Sequence, residues 1–568
     1  EQAGGKLLLD VLGQDADASE EDKAELARRF RLHLIPLTDS YFDQTVSNAP
    51  GATGNKATTM TLLAVAILVI VIAFINFINF FFALVPLRVH SVNTRKVLGA
   101  SRGRLVTGYV LEAVVMVAVS LVLAAGVTVL FQRSSFASLI SCSTAFADNV
   151  GVALSAVALG LLVAVASSLY PAFYITSFSP ALALKGNFGA SRSGRGFRYA
   201  LVGVQFFISM SLIICATFIT LQRAYMVKHD MGFDREELLV ANVSDAAASS
   251  AAAVEAQLME NPQIKAVSWA DGDIVRSSRM GWGRSFKGQQ ISFQCYPVSW
   301  DFLRFMGIPI VEGRDFTEAD EQSEDGVFIF NEAAKKEFGL TLDDKLEGHR
   351  GEAEIAGFCR DFNFRSLRDG VSPLCLYVFG KHPWRRLKTL LVRTDKNADI
   401  PAIKEYVVSV VEKTDPSMSP EDIDVQMLDQ QIQNQYRQES MLSSQIGLFS
   451  LLAVIISLMG VFGLVMFETE HRRKEIAVRR VNGATVGSIL RMFNMEFLRI
   501  VLVCFVLAVP VCCLVIGRYL QGFAFKVPMY PWVFVMALAA TLLVTAAVVT
   551  LRSYKAATDN PSLTLRKE

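Results

Sequence analysis

Residues 57–87 carry no charged side chain. As a helix rising 1.5 Å per residue, about 20 of them would cross the ~30 Å hydrocarbon core of a bilayer. Similar runs recur at residues 105–131, 150–174, 199–221, 441–467, 493–517 and 528–551. The sequence therefore predicts seven membrane spans. A chain that is 52% hydrophobic with 39 Phe suits a membrane protein that also has a sizeable soluble part.

The net charge of +1 says little, because basic and acidic residues are sorted by loop. Arg88, Arg95, Lys96, Arg102 and Arg104 crowd one short loop, and Lys185, Arg192, Arg195 and Arg198 another. Arg472, Arg473, Lys474, Arg479, Arg480 and Arg491 crowd a third. The opposite loops hold only Arg133 and Asp148, then Arg518 and Lys526. The positive-inside rule puts the basic loops and the tail in the cytoplasm and residues 222–440 outside. Strand-like and helical runs alternate there, for a mixed α/β domain. Residues 429–439 lack Gly and Pro and run straight into a span, which predicts a continuous helical stalk. Residues 221–229 leave the preceding span in the same manner.

The chain is internally duplicated. Arg95-Lys-Val-Leu-Gly-Ala-Ser101 matches Arg479-Arg-Val-Asn-Gly-Ala-Thr485 without a gap. Glu112 and Glu496 each fall thirteen residues past the glycine of their copy, Gly99 or Gly483. The half-ends match too, at Pro180-Ala-Leu-Ala-Leu-Lys185 and Pro561-Ser-Leu-Thr-Leu-Arg566. Stretch 468–485 has early acids and late bases, which suits the dipole of a short helix. Gly483 can stop that helix in a left-handed cap, and Thr485 can cap the next.

Glu475-Ile-Ala-Val-Arg-Arg-Val-Asn-Gly-Ala-Thr485 resembles the signature loop of FtsX/MacB-type permeases of ABC transporters. The stretches 302–316, 330–334 and 357–367 resemble the extracytoplasmic core of MacB-type members. The resemblance implies an α-helical polytopic membrane protein with a mixed α/β extracytoplasmic domain, seven spans being visible and an eighth expected in the full chain. It divides the chain into the tail of a first external domain (1–56), a first FtsX-like half (57–184) and a cytoplasmic linker (185–198). The first span of the second half (199–221), a MacB-like periplasmic domain with stalk (222–440) and the second FtsX-like half (441–568) follow. The repeat predicts an opening span and a first soluble domain that this sequence does not contain. With its start at Glu1-Gln2-Ala3, the chain is read as a fragment or a processed product.

The resemblance also implies a partner. The signature loops would dock on a pair of cytoplasmic ABC ATPase subunits, through Glu475, Ile476, Arg479, Arg480, Val481 and Gly483 in the second copy and Arg95, Lys96 and Gly99 in the first. ATP would be bound by that partner, because no G-x-x-x-x-G-K-[ST] loop occurs here. No cofactor, metal or catalytic residue is expected in this chain, whose six histidines are scattered. No basic patch interleaved with aromatics points to nucleic acid. Membrane lipid and periplasmic or outer-membrane components complete the expected partners, and the bacterial inner membrane the expected location.

Glu112 and Glu496 lie inside spans, where acids are functional suspects. Arg499, three residues on, is within ion-pair reach of Glu496 on a helix. Such a pair would be structural, a clamp on the signature helix. Asn76 and Asn79 match Gly460 and Gly463 of the repeat and mark a helix–helix contact. The acids and amides at Arg314, Asp315, Asn331, Glu332 and Asp361 suit turn and cap chemistry better than a ligand site. Of eight cysteines, Cys295, Cys359 and Cys375 fall in the external domain, as buried thiols or as one bridge and one thiol. The resulting reading is a permease subunit that transmits motion from a separate ATPase to the periplasmic domain, for export or extraction of a substrate. The alternative is an FtsX-like protein that activates a cell-wall hydrolase. The sequence leaves open whether one chain forms the whole transmembrane unit.

Overall fold

The computed structural model describes residues 36, 40–42, 54–134, 137, 140, 143–177, 192–275, 280–348 and 351–558. Most of stretch 1–56, linker residues 185–191 and both repeat ends, 180–185 and 561–566, lie outside these. Residues up to Leu63 form one compact unit and those from Ala64 another. In the first, Gly54 N–H donates to the Tyr41 carbonyl at 2.7 Å, and the Tyr41 and Phe42 rings meet edge to face.

Seven helices among the described residues are long and apolar enough to cross a membrane. In the first half, α1 (Lys56–Ala83) leads into a short elbow helix α2 (Val85–Val97), then α3 (Arg102–Gln132) and α4 (Val150–Ser177). The first span stops at Ala83, short of residue 87. Leu84, itself in the right-handed helical region, separates the two helices, and α2 restarts with a proline in its first turn, where a missing N–H is harmless. Ile78, Phe82, Val89, Val92, Leu105 and Ile175 form the small core of this half. Leu111, Val122 and Leu130 of α3 are more than half exposed, as on a lipid-facing helix.

In the second half, α5 (Arg192–Lys228) enters the external domain. The chain returns through α10 (Arg437–His471), the elbow helix α11 (Arg473–Val481), α12 (Val486–Gln521) and α13 (Pro531–Thr558). Val202, Phe206, Met210, Ile214 and Phe218 are spaced by four on one face of α5, and Ile489, Phe493, Phe497 and Val501 likewise on α12. These stripes meet in one buried core, the i, i+4 geometry of helices packed along their length. Gly203 of α5 sits against the Cys504 thiol, with room there for close approach.

The external domain has two lobes. In the first, β1 (Leu238–Asn242), α6 (Ala251–Leu258), β2 (Ile264–Ala270), β10 (Thr389–Thr394), α8 (Ile400–Thr414) and β11 (Val425–Met427) follow a β-α-β-β-α-β path. The sheet order is β11-β1-β10-β2, a split βαβ arrangement. The second lobe is inserted between β2 and β10. Its strands are β3 (Met280–Phe286), β4 (Gln289–Pro297), β5 (Ile310–Gly313), β6 (Val327–Asn331), β7 (Lys345–Glu347), β8 (Glu352–Cys359) and β9 (Leu374–Val378). They run in the order β3-β4-β9-β6-β8-β5, with β7 on β8, and helix α7 (Glu332–Phe338) follows β6. Every residue of β6 and β9 is buried, because both faces of this sheet are covered. Val327, Ile329, Leu374 and Leu376 point into one core, and Phe328, Phe330, Cys375 and Tyr377 into the other.

The expected stalk is corrected in one respect. Residues 428–435 and 437–439 are helical, but α9 (Leu428–Gln435) and α10 are separate helices that meet at Tyr436, whose φ is −95° and ψ 18°. The buried Tyr436 side chain accepts from Leu367 N–H of the external domain, and the helix is interrupted at this residue without Gly or Pro. Helix α5 runs unbroken to Lys228.

Candidate coupling site

Both elbows are built alike. At the first, Arg88 donates from Nη1 and Nη2 to the two oxygens of Glu112 at 2.8 and 2.6 Å, and its guanidinium lies 5.5 Å from the Tyr109 ring centre. At the second, Arg472 Nη2 lies 3.2 Å from both oxygens of Glu496, and its guanidinium is 5.8 Å from the Phe493 ring centre. From 88 to 472, 109 to 493 and 112 to 496 is the same step of 384 residues. Arg472 sits at the break between α10 and α11, so the pair ties the elbow to the middle helix α12. Arg88 makes the planar two-nitrogen fork that arginine offers a carboxylate, whereas Arg472 shares one nitrogen between the two oxygens and turns Nε to Glu468.

The second elbow is more heavily tied. Arg472 Nε also lies 3.1 Å from the buried Glu468, and Tyr199 Oη donates to Glu496 at 2.8 Å from the start of α5. Arg198, buried, stacks 3.7 Å from the Phe467 ring centre. Leu84 stands in the first half where Glu468 stands in the second. Arg499 lies exposed on α12, and the arginine found on Glu496 is Arg472.

Each elbow ends in the same cap. Gly99 and Gly483 have φ of +91° and +88°, a conformation in which L side chains are strained. Ala100 N–H donates to Arg95 O, and Ala484 N–H to Arg479 O, as in a Schellman motif. Ser101 and Thr485 then cap α3 and α12, accepting from the N–H of Arg104 and Ser488. Glu475 pairs with Arg479 at 2.6 Å on the exposed face. Arg480 donates to Ala484 O, Lys96 donates to Thr176 O at 2.6 Å, and Arg95 is exposed. Burial, followed by the charge of Arg102, pushes the Lys96 amine down. Ile476, expected as an apolar anchor for the ATPase, is corrected: it is buried in the bundle core with Ala477. The exposed apolar residues of α11 are Val478 and Val481, matched on α2 by Val97.

Asn76 and Gly460 meet where α1 crosses α10. A Cβ on Gly460 would lie 2.6 Å from Gln205 Oε1 and 3.2 Å from Asn76 Oδ1. Asn79 is buried nearby on the same helix.

At the other end of the spans, one loop of the external domain gathers three helix ends. Leu367 N–H donates to Tyr436 Oη at 3.0 Å, at the head of α10. Arg368 pairs with Glu439 at 2.9 Å. The carbonyls of Leu367 and Arg368 accept from the N–H groups of Phe525 and Ala524, in the loop between α12 and α13. Gln222 of α5 grips that loop from the other side, donating to Phe525 O and accepting from Val527 N–H, both at 2.9 Å. After α5, Met231 O accepts from Asn363 N–H. Gly232, φ +84°, lies so close to Asp361 and Phe362 that a Cβ would approach them at 3.2 Å. Burial pushes the Tyr436 phenol up. This loop is the end of the motif at 357–367, whose role the sequence did not disclose.

The polar residues of the external core are local. Asn331 caps α7 at Ala334 N–H, Asp361 accepts from Ala333 N–H, and Arg314 pairs with Asp320 and Glu354. Among the described residues no group of three or more His, Cys, Asp or Glu is placed to hold a metal ion.

Residues 63–180 and 447–561 match the FtsX-like permease C-terminal family, and residues 204–410 match the MacB-like periplasmic core domain. The chain belongs to the FtsX/MacB-type permeases of ABC transporters. Two copies of the FtsX-like module flank one MacB-like domain, in the order that the spans and lobes define. As such a permease it is a multi-pass membrane protein with an extracytoplasmic MacB-like domain, of a family whose members are typically non-catalytic subunits partnered with an ABC ATPase. The chain is similar to the periplasmic region of MacB from Actinobacillus actinomycetemcomitans, at 11% identity over 37% of this chain and 96% of that one, with a TM-score of 0.28. It is also similar to the extracellular domain of the noncanonic ABC-type transporter YknZ from Gram-positive bacteria, at 12% identity over 33% and 98%, with a TM-score of 0.26. No curated protein matches it.

Proposed function

We propose that this permease converts movement of a partner ATPase at its elbows into movement of its MacB-like domain, in a bacterial inner membrane. One observation carries the reading: the loop at 361–368 is bonded to the ends of α5 and α10 and to the loop between α12 and α13. Elbow α11 is bonded through Arg472 to α12, and Tyr199 ties α12 to α5. A tilt imposed at the elbow therefore reaches the external loop through polar contacts at both helix ends and packed side chains between them. The spans contain few charged groups, which argues against a hydrophilic path through the membrane and for work done outside, on a periplasmic or membrane substrate.

In this scheme Glu475, Arg479, Arg480, Val481 and Gly483, with Arg95, Lys96 and Gly99, present the docking surface. Residues 57–184 and 199–221 with 441–568 form the two membrane halves, and 222–440 the moving domain. ATP is held by the ATPase alone. The test is affinity purification of the chain with its ATPase, reconstitution in liposomes, and measurement of ATP hydrolysis and domain motion in Tyr436→Phe/Arg368→Gln. Hydrolysis that continues while the domain stops responding supports the reading. Unchanged domain motion in that variant sinks it.

A further inference from the structure

Cys295 and Cys375 are register partners on neighbouring parallel strands β4 and β9. Paired residues on adjacent strands have their Cα atoms about 5 Å apart and their side chains on the same face, inside the Cα separation of ~4.4–6.8 Å that a disulfide needs. Both side chains point into the same aromatic core, among Phe293, Phe328 and Tyr377. In this structure both are buried free thiols, and burial first, then the neighbouring Cys295 thiol, pushes the Cys375 thiol up. Cys359, at the end of β8, lies in the other core, beyond the sheet. The odd trio of external cysteines thus resolves into a facing pair and a single residue on the opposite face.

We propose that Cys295 and Cys375 are a modification site: they are joined as a disulfide when the domain folds in an oxidising compartment, and Cys359 stays a thiol. The oxidant is a protein or low-molecular-weight disulfide. One cysteine thiolate attacks it to give a mixed disulfide and releases one thiol. The second attacks the mixed disulfide, forming the Cys295–Cys375 bond and releasing the other thiol. Two electrons pass to the oxidant, and the two protons leave the cysteines. Exchange occurs before β9 closes on β4, since both sulfurs are buried afterwards. The bond joins the ends of the segment that holds β5 to β8, so it restricts a long loop of the unfolded chain.

The pairing rests on strand register. Its occurrence in cells rests also on the extracytoplasmic placement of the domain. The experiment separates the two. Membranes bearing the full chain are quenched with N-ethylmaleimide, digested without reductant and mapped by mass spectrometry. A second sample is first unfolded in urea and refolded with oxidised glutathione, so that both sulfurs are accessible during exchange. A peptide linking Cys295 to Cys375 is expected in both, and is expected to persist in Cys359→Ser. Reductant should lower the Tm of the wild type by ~5 °C and leave that of Cys295→Ala/Cys375→Ala unchanged. A link found only after glutathione supports the pairing and counts against the placement. Absence of the link from both samples, or a bridge that includes Cys359, overturns the proposal.

Discussion

Arg472 lies 3.2 Å from both oxygens of Glu496, bridging an elbow and a membrane helix, as Arg88 and Glu112 do in the other half. The two pairs differ in burial. Arg472 and Glu496 are 13% and 29% exposed against 26% and 41% for Arg88 and Glu112, and Arg472 also holds Glu468, which is 1% exposed. Removing one member of a buried pair costs about 3–5 kcal/mol, and of an exposed one about 1 kcal/mol or less. Arg472→Ala should therefore lower thermal stability in detergent more than Arg88→Ala. Equal shifts would show that the second elbow is no more firmly tied than the first.

The shared step of 384 residues made half of this legible in advance. The glycines and glutamates already sat in register, and the same step leads from Arg88 to Arg472. Arg499, the arginine nearest to Glu496 in sequence, is exposed, and the partner comes from the elbow. The spans were legible because charge-free apolar runs have few alternatives. The break at Tyr436 was not, because no Gly or Pro marks it and the Tyr436 side chain finds its partner far away in sequence, at Leu367. The junction at 361–368 escaped for the same reason: its partners are brought together only by the fold.

At that junction, Tyr436→Phe removes one hydroxyl and leaves the ring in place. The buried Leu367 N–H then loses its acceptor, which costs about 1–3 kcal/mol. The expected outcome is normal membrane insertion with faster hydrogen exchange at 361–368, read by mass spectrometry. Exchange as slow as in the wild type would mean that the phenol does not hold the loop.

Asp320 gives the external domain an acid-sensitive contact. Burial alone would raise its carboxyl, but hydrogen bonds from Arg314 and Thr317 outweigh burial and hold it below the ordinary value. A depressed folded pKa gives stability that is fully present above the unfolded value of ~3.9 and is lost as pH falls through the folded one. Asp320→Asn should destabilise the protein at pH 7 and flatten its loss of stability below about pH 4. Thermal unfolding of both proteins from pH 2 to 7 checks this. Parallel curves would assign the acid limb to other groups.

The caps at Gly99 and Gly483 have open space around them, with nothing within 4 Å of an added Cβ. Substitution there is opposed by backbone strain alone. Gly483→Ala should cost roughly 1–2 kcal/mol, and Gly483→Asn less, because Asn tolerates the left-handed region. The order Gly, Asn, Ala in Tm would support this account. The reverse order of Asn and Ala would point to a contact made by the cap in the assembled transporter.

Packing and docking fall on different faces of α11. Ile476 is 3% exposed and belongs to the bundle core, whereas Val481 is 66% exposed at the end of the same helix. An aspartate at 476 buries an unpaired charge, so Ile476→Asp should reduce the yield of folded chain. An aspartate at 481 remains in water and should leave folding intact. If the elbow docks on an ATPase through its exposed face, Val481→Asp should reduce ATPase copurification about tenfold or more while Tm stays within a degree or two of wild type. Val97→Asp, at the matching exposed site of α2, should reduce it less, since α2 has Asn93 and Thr94 in place of Ala477 and Val478 and lacks the Glu475–Arg479 pair. Copurification unchanged in Val481→Asp would remove α11 from the ATPase interface. Equal losses at the two sites would remove the asymmetry and leave two equivalent docking elbows.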